Sequence, residues 1–306
     1  VLSLQKHILS ICIASYGDDI QPLLHALCES KNTGLPNYWS IEILISDQYH
    51  TSHSQAPKWQ VEFECTYVHN PIKSGRSINR NHLGELAKGD FLLFLDADAE
   101  PKNNTFLQDY CERAKLASVI VGGTAYKPNY KSNKLRVKVG KIKEENSARA
   151  RGNYPYSSFS AFNFLIRKDI FLELLFDEEL TEYGHEDTLF GLELKYRNID
   201  IMHIDNPAYH MGIDDNDVFM DKTTSAIDGL ARLIIEGKID EDIKLFRVYR
   251  TAQRFGAHYL LKILNGLLGE ALKKAVITRN LPLIFYDFYK LMRLCSHPIK
   301  IGRRMP

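Results

Sequence analysis

The sequence has 306 residues, a formal net charge of +1, 44% hydrophobic residues and 25% charged residues. These values exclude an intrinsically disordered chain, and the near-neutral charge gives no reason to expect a nucleic acid as a partner. The charge is divided unevenly, because residues 262–306 contain nine basic and two acidic residues, a net charge of +7, which leaves −6 on residues 1–261. The sequence therefore consists of an acidic body and a basic C-terminal tail.

Short apolar runs alternate with amphipathic segments along the first two-thirds of the chain, and they predict strands and helices respectively. The predicted strands are residues 7–15, 41–46, 61–69, 91–95, 118–125, 160–166 and 199–204. One predicted helix begins after Asp18 or Asp19, which can cap it. The others cover residues 77–88, 106–116, 169–176 and 187–197. Strands separated by helices predict an α/β fold with a mainly parallel central sheet flanked by helices.

The remaining segments differ in character from this alternation. Residues 127–151 are basic and contain Asn, Ser and Gly, which predicts a long, partly helical excursion on the surface. Beyond about residue 218 the apolar spacing is helical to the end. With no internal repeat or low-complexity linker, we expect an α/β domain over residues 1–217 and a helical extension over 218–306 that is basic from about 262.

The cysteines and the apolar runs indicate the compartment. The five cysteines are scattered through apolar segments and form no C-x-x-C pair, which is typical of free thiols in a reducing environment. No signal peptide is recognisable, and no apolar stretch approaches the roughly 18 residues of a membrane-spanning helix. We expect a cytoplasmic protein that could also bind peripherally to the inner face of a membrane.

Polar side chains follow three of the predicted strands. Ser15 and Tyr16 follow the first, Asp47 follows the second, and Asp96 and Asp98 follow the buried strand FLLFL. In parallel sheets, ligands bind beyond the carboxyl ends of strands. Two neighbouring carboxylates repel each other unless a cation or hydrogen-bond donors neutralise them, and hard divalent ions prefer carboxylate oxygens. The pair therefore predicts a divalent-metal site, with a helix cap and a solvated acid as the alternative.

Two later motifs carry further candidate groups. Glu186 and Asp187 open a predicted helix, where backbone N–H groups stabilise carboxylates whether or not they have a function. An acid at such a position could also act as a general base. His210 lies in the turn NPAYHMG, and a single histidine there is a metal-ligand candidate only because a carboxylate site is already predicted nearby.

The segments IASYG, ISDQ, GRSINRNHLGELAKGDFLLFLDAD, YGHEDTLFGLELKYR and NPAYHMG occur in this order between about residues 8 and 212. Together they resemble a family 2 glycosyltransferase of the GT-A fold, an inverting enzyme with D-x-D and Glu-Asp motifs. The resemblance implies a hexosyltransferase that uses Mn²⁺ or Mg²⁺. Its donor would be a nucleotide-diphosphate sugar, expected to be a UDP-sugar. Its acceptor would be a hydroxyl of a glycan or lipid-linked molecule in polysaccharide biosynthesis.

The same resemblance implies a role for individual residues. The positions that match the donor-binding segments are Ser15, Tyr16, Asp47, Arg80 and Asp96. Asp98 matches the acid that binds the metal, with Asp96 and His210 as further ligands. Asp187 matches the catalytic base, and Glu186 lies beside it at the acceptor site. The family often has Pro-x-Tyr-Asn after the first strand and Asp-Asp after the second, whereas this chain has ASYG and SD. These differences leave open which nucleotide base the donor carries.

Several alternatives remain at this stage. A sugar-nucleotide pyrophosphorylase also places acids beyond a parallel sheet, although SYGDD lacks the Gly-rich basic loop usual in that class. A non-catalytic glycan-binding or scaffold protein could share the fold. Arg149 and Arg151 predict a solvated basic loop more than a diphosphate contact, and Asn163 is a minor candidate near the sugar. The basic tail could lie on an anionic membrane surface or pack on the main domain.

Overall fold

The computed structural model describes residues 6–48, 59–70, 75–130, 134–180, 184–239 and 241–299. These residues form two compact units. Unit 1 falls within residues 1–130, 140–181 and 186–212, and unit 2 falls within 131–139, 182–185 and 213–306.

The described residues contain strands and helices in alternation, followed by helices. The strands are β1 His7–Ser15, β2 Trp39–Asp47, β3 Thr66–His69, β4 Phe91–Asp96, β5 Ala99–Pro101, β6 Val119–Val121, β7 Thr124–Ala125, β8 Asn163–Arg167, β9 Ile201–His203 and β10 Ala208–His210. The helices are α1 Gln21–Gly34, α2 Trp59–Glu62, α3 Gly75–Leu86, α4 Phe106–Arg113, α5 Leu135–Lys143, α6 Ala148–Gly152, α7 Lys168–Leu174, α8 Glu186–Tyr196, α9 Asn216–Ile235, α10 Lys244–Arg254, α11 Ala257–Thr278 and α12 Leu283–Ser296.

Seven of the described strands form the central sheet of unit 1, in the order β3-β2-β1-β4-β8-β6-β9. Within this sheet, β8 is antiparallel to its neighbours β4 and β6, and the other pairs are parallel. A smaller sheet has the order β5-β10-β7. The predicted fold class is confirmed: a mainly parallel α/β sheet flanked by helices, with a helical C-terminal region.

Alternate residues of the central strands feed two separate hydrophobic cores. Ile11 and Leu93 face a core with α1 and α4. Cys12 and Phe94 face the opposite core, with α3, α7 and α8. A strand buried on both faces reads as a continuous apolar run, which is why IEILIS and FLLFL are recognisable in the sequence. Polar residues at the ends of these runs, such as Ser15, Asp47 and Asp96, come together at one edge of the sheet.

The predicted strand over residues 61–69 is wrong in its first half. The chain forms α2 at residues 59–62, and β3 begins only at Thr66. Trp59 and Phe63 both pack on the core that contains α1. They are four residues apart, so they lie on one side of a helix, and the apolar alternation that predicted a strand does not exclude this. Val61, the residue between them, is exposed.

The predicted strand over residues 118–125 divides into β6 and β7, which belong to different sheets. The break falls at Gly122 and Gly123, and Gly123 has a φ of 97°. Asn163 spans the break, because its side-chain amide donates to the carbonyls of Gly123 and Asn206, both at 3.0 Å. Its side-chain oxygen accepts from the Tyr110 hydroxyl at 2.6 Å. Asn163 therefore stabilises the junction between two sheets.

Arg151 does not lie in a solvated loop, and that expectation from the sequence is wrong. Its side chain is buried and donates to the backbone carbonyls of Val121, Gly122 and Ile204 at 2.7–3.0 Å. These carbonyls belong to the end of β6 and to the segments that follow β6 and β9. The guanidinium is a planar group with five donors, so it can bind several carbonyls at once and connect the segments that carry them.

Within unit 2, polar contacts join α9 to α12 in addition to their buried apolar residues. The hydroxyls of Thr223 and Thr224 lie 3.2 and 2.8 Å from those of Tyr286 and Tyr289. Asp228 accepts two hydrogen bonds from Arg293, at 2.7 and 2.8 Å. Of the helices within the described ranges, none combines the length and the apolar character that crossing a bilayer requires.

We predict that Gly122→Ala destabilises the protein by about 3 kcal/mol, because the surroundings cannot make room for a methyl group. A Cβ there would lie 2.4 Å from the Asn206 carbonyl oxygen and 2.3 Å from the Tyr110 hydroxyl. Gly152→Ala is the matched control, since nothing lies within 4 Å of its Cβ position. Chemical denaturation measures both. Equal free energies of unfolding for the two variants would contradict the packing at the junction.

Candidate active site

The carboxyl ends of β1, β2 and β4 bring three of the predicted residues to two adjacent register positions at one edge of the sheet. Ser15 pairs with Asp47 across β1 and β2, and Asp96 pairs with Ala14 across β1 and β4. Tyr16 follows Ser15 and is exposed. The sequence-predicted donor residues therefore share one edge of unit 1, and the adjoining turn leaves Tyr16 accessible to a ligand.

Asp47 is fixed in place from two sides. Its carboxylate accepts the Gly17 amide at 2.9 Å and the Tyr67 hydroxyl at 3.1 Å. Burial and the neighbouring charge of Asp47 raise the pKa of Tyr67 to about 12, so the phenol stays a donor. Sequence reasoning missed Tyr67, because nothing in TYVH signals that its strand ends beside Asp47.

The turn after β1 depends on two more residues. Asp18 accepts the Tyr16 amide at 2.9 Å, and the Asn79 amide donates to the carbonyl of Ser46 at 3.0 Å. Asn79 lies in the segment GRSINRN, in which only Arg80 was singled out from the sequence. Asn79 precedes Arg80 by one residue in α3, so its side chain points in a different direction and contacts β2 instead of β4. Only the tertiary structure shows this difference.

Arg80 is buried in α3 and joins two of the predicted acids. Its Nη2 lies 2.7 Å from Asp96 Oδ1, and its Nη1 lies 3.5 Å from Glu186 Oε1. The guanidinium also lies over the ring of Phe176, 5.3 Å from the ring centroid. Arg76, one turn earlier, lies 3.8 Å from the same Glu186 oxygen. Burial disfavours the charged form of Asp96, but Arg80 and Arg76 together hold its pKa below the usual value.

Asp187 lies in the first turn of α8, next to Glu186. One of its oxygens accepts the Ala161 amide at 3.0 Å. Burial and the adjacent charge of Glu186 raise the pKa of Asp187 to about 6, against the opposing effects of Arg80 and of the Ala161 amide. The carboxylate is therefore anchored by a backbone amide and poised near neutrality, as a general base requires. Glu182 and Tyr183 of the same motif lie outside the described residues.

Asp98, which follows β4, approaches His210 at the end of β10. Asp98 Oδ2 lies 3.7 Å from His210 Nδ1. The imidazole is stacked between Tyr126 and Phe162, with centroids 5.9 and 5.2 Å away and rings within 12° of parallel. Two aromatic faces therefore fix the orientation of the ring, and its edge is directed at Asp98.

The surroundings of Asp98 suit a cation. Partial burial raises its pKa, and the carboxylates of Asp96 and Asp18 raise it further, against the effect of His210. A Cβ on Gly212 would lie 2.0 Å from Asp98 Oδ2, so the chain leaves this oxygen clear only because a glycine stands there. Over the described parts of the chain, no group of three or more His, Cys, Asp or Glu is arranged as a metal site. The protein side could therefore supply two ligands, Asp98 and His210, while Asp96 faces Arg80.

Residues 10–175 match the model of the family described as glycosyl transferase family 2. No curated protein sequence matches the chain significantly. Among solved structures, S. aureus TarS 1–349 in complex with UDP is 18% identical, with a TM-score of 0.51 over 94% of this chain and 89% of that one. The mannosyltransferase PcManGT from Pyrobaculum calidifontis, in complex with GDP-Man and Mn²⁺, is 13% identical, with a TM-score of 0.57 over 95% and 86% of the two chains.

At these identities the two solved structures show a shared fold. The family match covers more than half of the 306 residues and includes the strand ends that hold Ser15, Asp47, Asp96 and Asp98. It also decides between the transferase, the pyrophosphorylase and the non-catalytic scaffold that the sequence left open. The chain belongs to glycosyl transferase family 2 and is a glycosyltransferase of the GT-A fold.

Proposed function

We propose that the enzyme transfers a hexosyl group from a UDP-sugar to a hydroxyl of a glycan or lipid-linked acceptor in polysaccharide biosynthesis, with inversion at the anomeric carbon. The observation that carries the proposal is the juxtaposition, within unit 1, of Asp98 with His210 and of Asp96 with Glu186 through Arg80. The first pair could hold a metal ion on the diphosphate, and the second brings the Glu-Asp motif, with Asp187 next to Glu186, beside the strand that carries Asp96. We expect residues 1–217 to contain the metal site and the base, and residues 218–306 to take no part in the reaction.

The donor nucleotide is proposed to lie over the ends of β1 and β2. Exposed Tyr16 offers a ring for stacking on the base, and Asp47 offers a carboxylate for the ribose hydroxyls. The neighbouring structures hold different nucleotides, UDP in TarS and GDP-Man in PcManGT. A thermal-shift screen of UDP- and GDP-sugars with Mn²⁺ therefore tests directly which nucleotide the enzyme binds.

A divalent ion, Mn²⁺ or Mg²⁺, fits the residues around Asp98. Two protein ligands suit an ion that keeps its other positions for substrate phosphates and water, and PcManGT was solved with Mn²⁺. Asp98 and His210 would hold the ion, with Asp96 as the additional ligand proposed from the sequence. Bound there, the ion supplies positive charge to the diphosphate leaving group.

The catalytic step is proposed to centre on Asp187. Its carboxylate accepts the proton of the acceptor hydroxyl as the oxygen attacks the anomeric carbon. The bond between that carbon and the phosphate oxygen breaks on the opposite face, and the electron pair leaves with the nucleoside diphosphate, so the configuration inverts. Glu186, paired with Arg80, would orient the acceptor beside the base.

We predict that Asp187→Asn lowers kcat by roughly 10²- to 10⁴-fold, the range typical of a lost general base. Donor affinity should stay within twofold or so, because the carboxamide keeps the shape of the side chain and its oxygen can still accept the Ala161 amide. Radiolabelled sugar transfer and calorimetric titration of the donor measure the two quantities. A variant that turns over normally would rule out this role.

The raised pKa of Asp187 predicts an acidic limit to activity. Because the base must be deprotonated, kcat/KM should be constant above about pH 6 and fall tenfold per pH unit below it. Glu186→Gln removes the negative charge that raises this pKa, so the acidic limb should move to lower pH even if the maximal rate falls. Asp109→Asn, a change on α4 far from the motif in sequence, is the control. An acidic limb that stays in place in Glu186→Gln would contradict the assignment.

The glycine beside Asp98 predicts a change in metal affinity. Gly212→Ala should weaken Mn²⁺ binding at least tenfold or so, because its Cβ displaces the Asp98 carboxylate. Gly266→Ala, in α11 with nothing within 4 Å of its Cβ position, is the control. Mn²⁺ titration followed by electron paramagnetic resonance measures the affinity without turnover. Equal Mn²⁺ affinity in both variants would exclude Asp98 as a ligand.

A further inference from the structure

An apolar strip lies on the solvent-exposed side of unit 2. It begins at the residue after α10 and continues along the first half of α11. Its members, which we call the α11 strip, are Phe255, Tyr259, Leu260, Ile263, Leu267 and Leu268. Each is 53–78% exposed. Single exposed apolar residues are ordinary on protein surfaces, but six within fourteen residues are a concentration of the kind that marks an interaction site.

The strip follows the helical repeat. Tyr259, Ile263 and Leu267 are spaced by four residues, so they stack along one side of α11. Gly269 and Val276, in the second half of the helix, are buried. The apolar side chains are therefore not displaced core residues: the helix already has packed positions, and the strip lies apart from them.

Cations border the strip. From residue 254 to residue 279 the sequence has five basic residues and a single acidic one, Glu270. Arg254, Lys262 and Lys274 lie beside or just beyond the strip and are at least partly exposed. Exposed apolar residues flanked by accessible cations are a combination that suits a helix lying in the interface of an anionic bilayer.

Other cations of the tail are already engaged within unit 2. Lys273 contacts Asp221 at 2.7 Å, and Arg293 forms a bidentate pair with Asp228. The net charge of +7 over residues 262–306 is therefore larger than the positive charge that a partner could contact. The accessible charge that remains around α11 lies next to the apolar strip.

We propose that the α11 strip binds the surface of a membrane that contains anionic lipids, with α11 lying along the interface. Lipid headgroups complement the cations, and acyl chains receive the apolar side chains. A second copy of the chain fits less well, because a symmetric dimer would bring the same positively charged patch of both copies together. The inference concerns placement of the enzyme and does not depend on the proposed donor, metal or base.

The test is co-sedimentation of the full chain with vesicles of phosphatidylcholine alone and of phosphatidylcholine with phosphatidylglycerol, at low salt. The chain should sediment with the anionic vesicles, and Ile263→Glu combined with Leu267→Glu should lower the binding constant at least tenfold or so. Leu116→Glu, at an exposed leucine of unit 1, is the matched control and should bind as the parent chain does. Circular dichroism of the variants checks that all of them fold.

Tyr259→Trp provides a second readout that requires no loss of binding. Its emission should shift to shorter wavelength with anionic vesicles, and lipids brominated in the acyl chain should quench it. No sedimentation of the parent chain with anionic vesicles, or equal binding by the Glu variant and the parent, would overturn the proposal. So would a parent dimer that the Glu variant converts to a monomer without any vesicle binding in the parent.

Discussion

The site depends on one buried cation. Arg80 enters the space behind the sheet edge from α3, and taking a guanidinium out of water is unfavourable unless anions compensate it. Asp96 at the end of β4 and Glu186 at the start of α8 supply that compensation. The same contacts hold the strand that carries the D-x-D motif against the helix that carries the Glu-Asp motif. Arg80 thereby also connects the strand end proposed to bind the donor with the helix proposed to face the acceptor.

The pKa values of two carboxylates near Arg80 are shifted in opposite directions. Asp96 is in direct contact with Arg80, and its pKa is lowered despite burial. Asp187 is hydrogen-bonded to a backbone amide and adjacent to Glu186, so burial and repulsion prevail and its pKa rises. Acids of one site thus take different protonation behaviour from their partners alone. A permanently charged acid and one that exchanges a proton near neutrality are what the proposed transfer requires.

Much of this arrangement could be predicted from the sequence, because buried strands are mostly apolar and the polar residues at their ends are easy to recognise. The positions of Ser15, Asp47 and Asp96 at one edge follow from parallel pairing, and the structure places them there. Local pattern could not show where long side chains reach. Arg151 was expected to be a surface residue, yet three of the carbonyls that it binds are 29 to 53 positions away in the sequence.

Other features had no local signal at all. Nothing in NPAYHMG shows that Gly212 leaves room for Asp98, or that His210 is stacked between Tyr126 and Phe162. The break at Gly122 could have been suspected from the glycine pair, although a continuous apolar run favoured a single strand. Contacts of these kinds are set by tertiary packing, and the sequence constrains them only through residue size and charge.

The position of β8 has a consequence for how the chain is made. In the sheet, β8 lies between β4 and β6, but along the chain it follows both. During synthesis, β6 therefore emerges before the strand that joins it to β4, and among the described strands β9 joins the sheet through β6. Pairing beyond β4 cannot be completed through β8 until residue 167, the end of that strand, has left the ribosome. Until then β4, the strand that carries the first acid of the D-x-D motif, is an open edge, and a chaperone that shields it would act between the completion of β4 and that of β8.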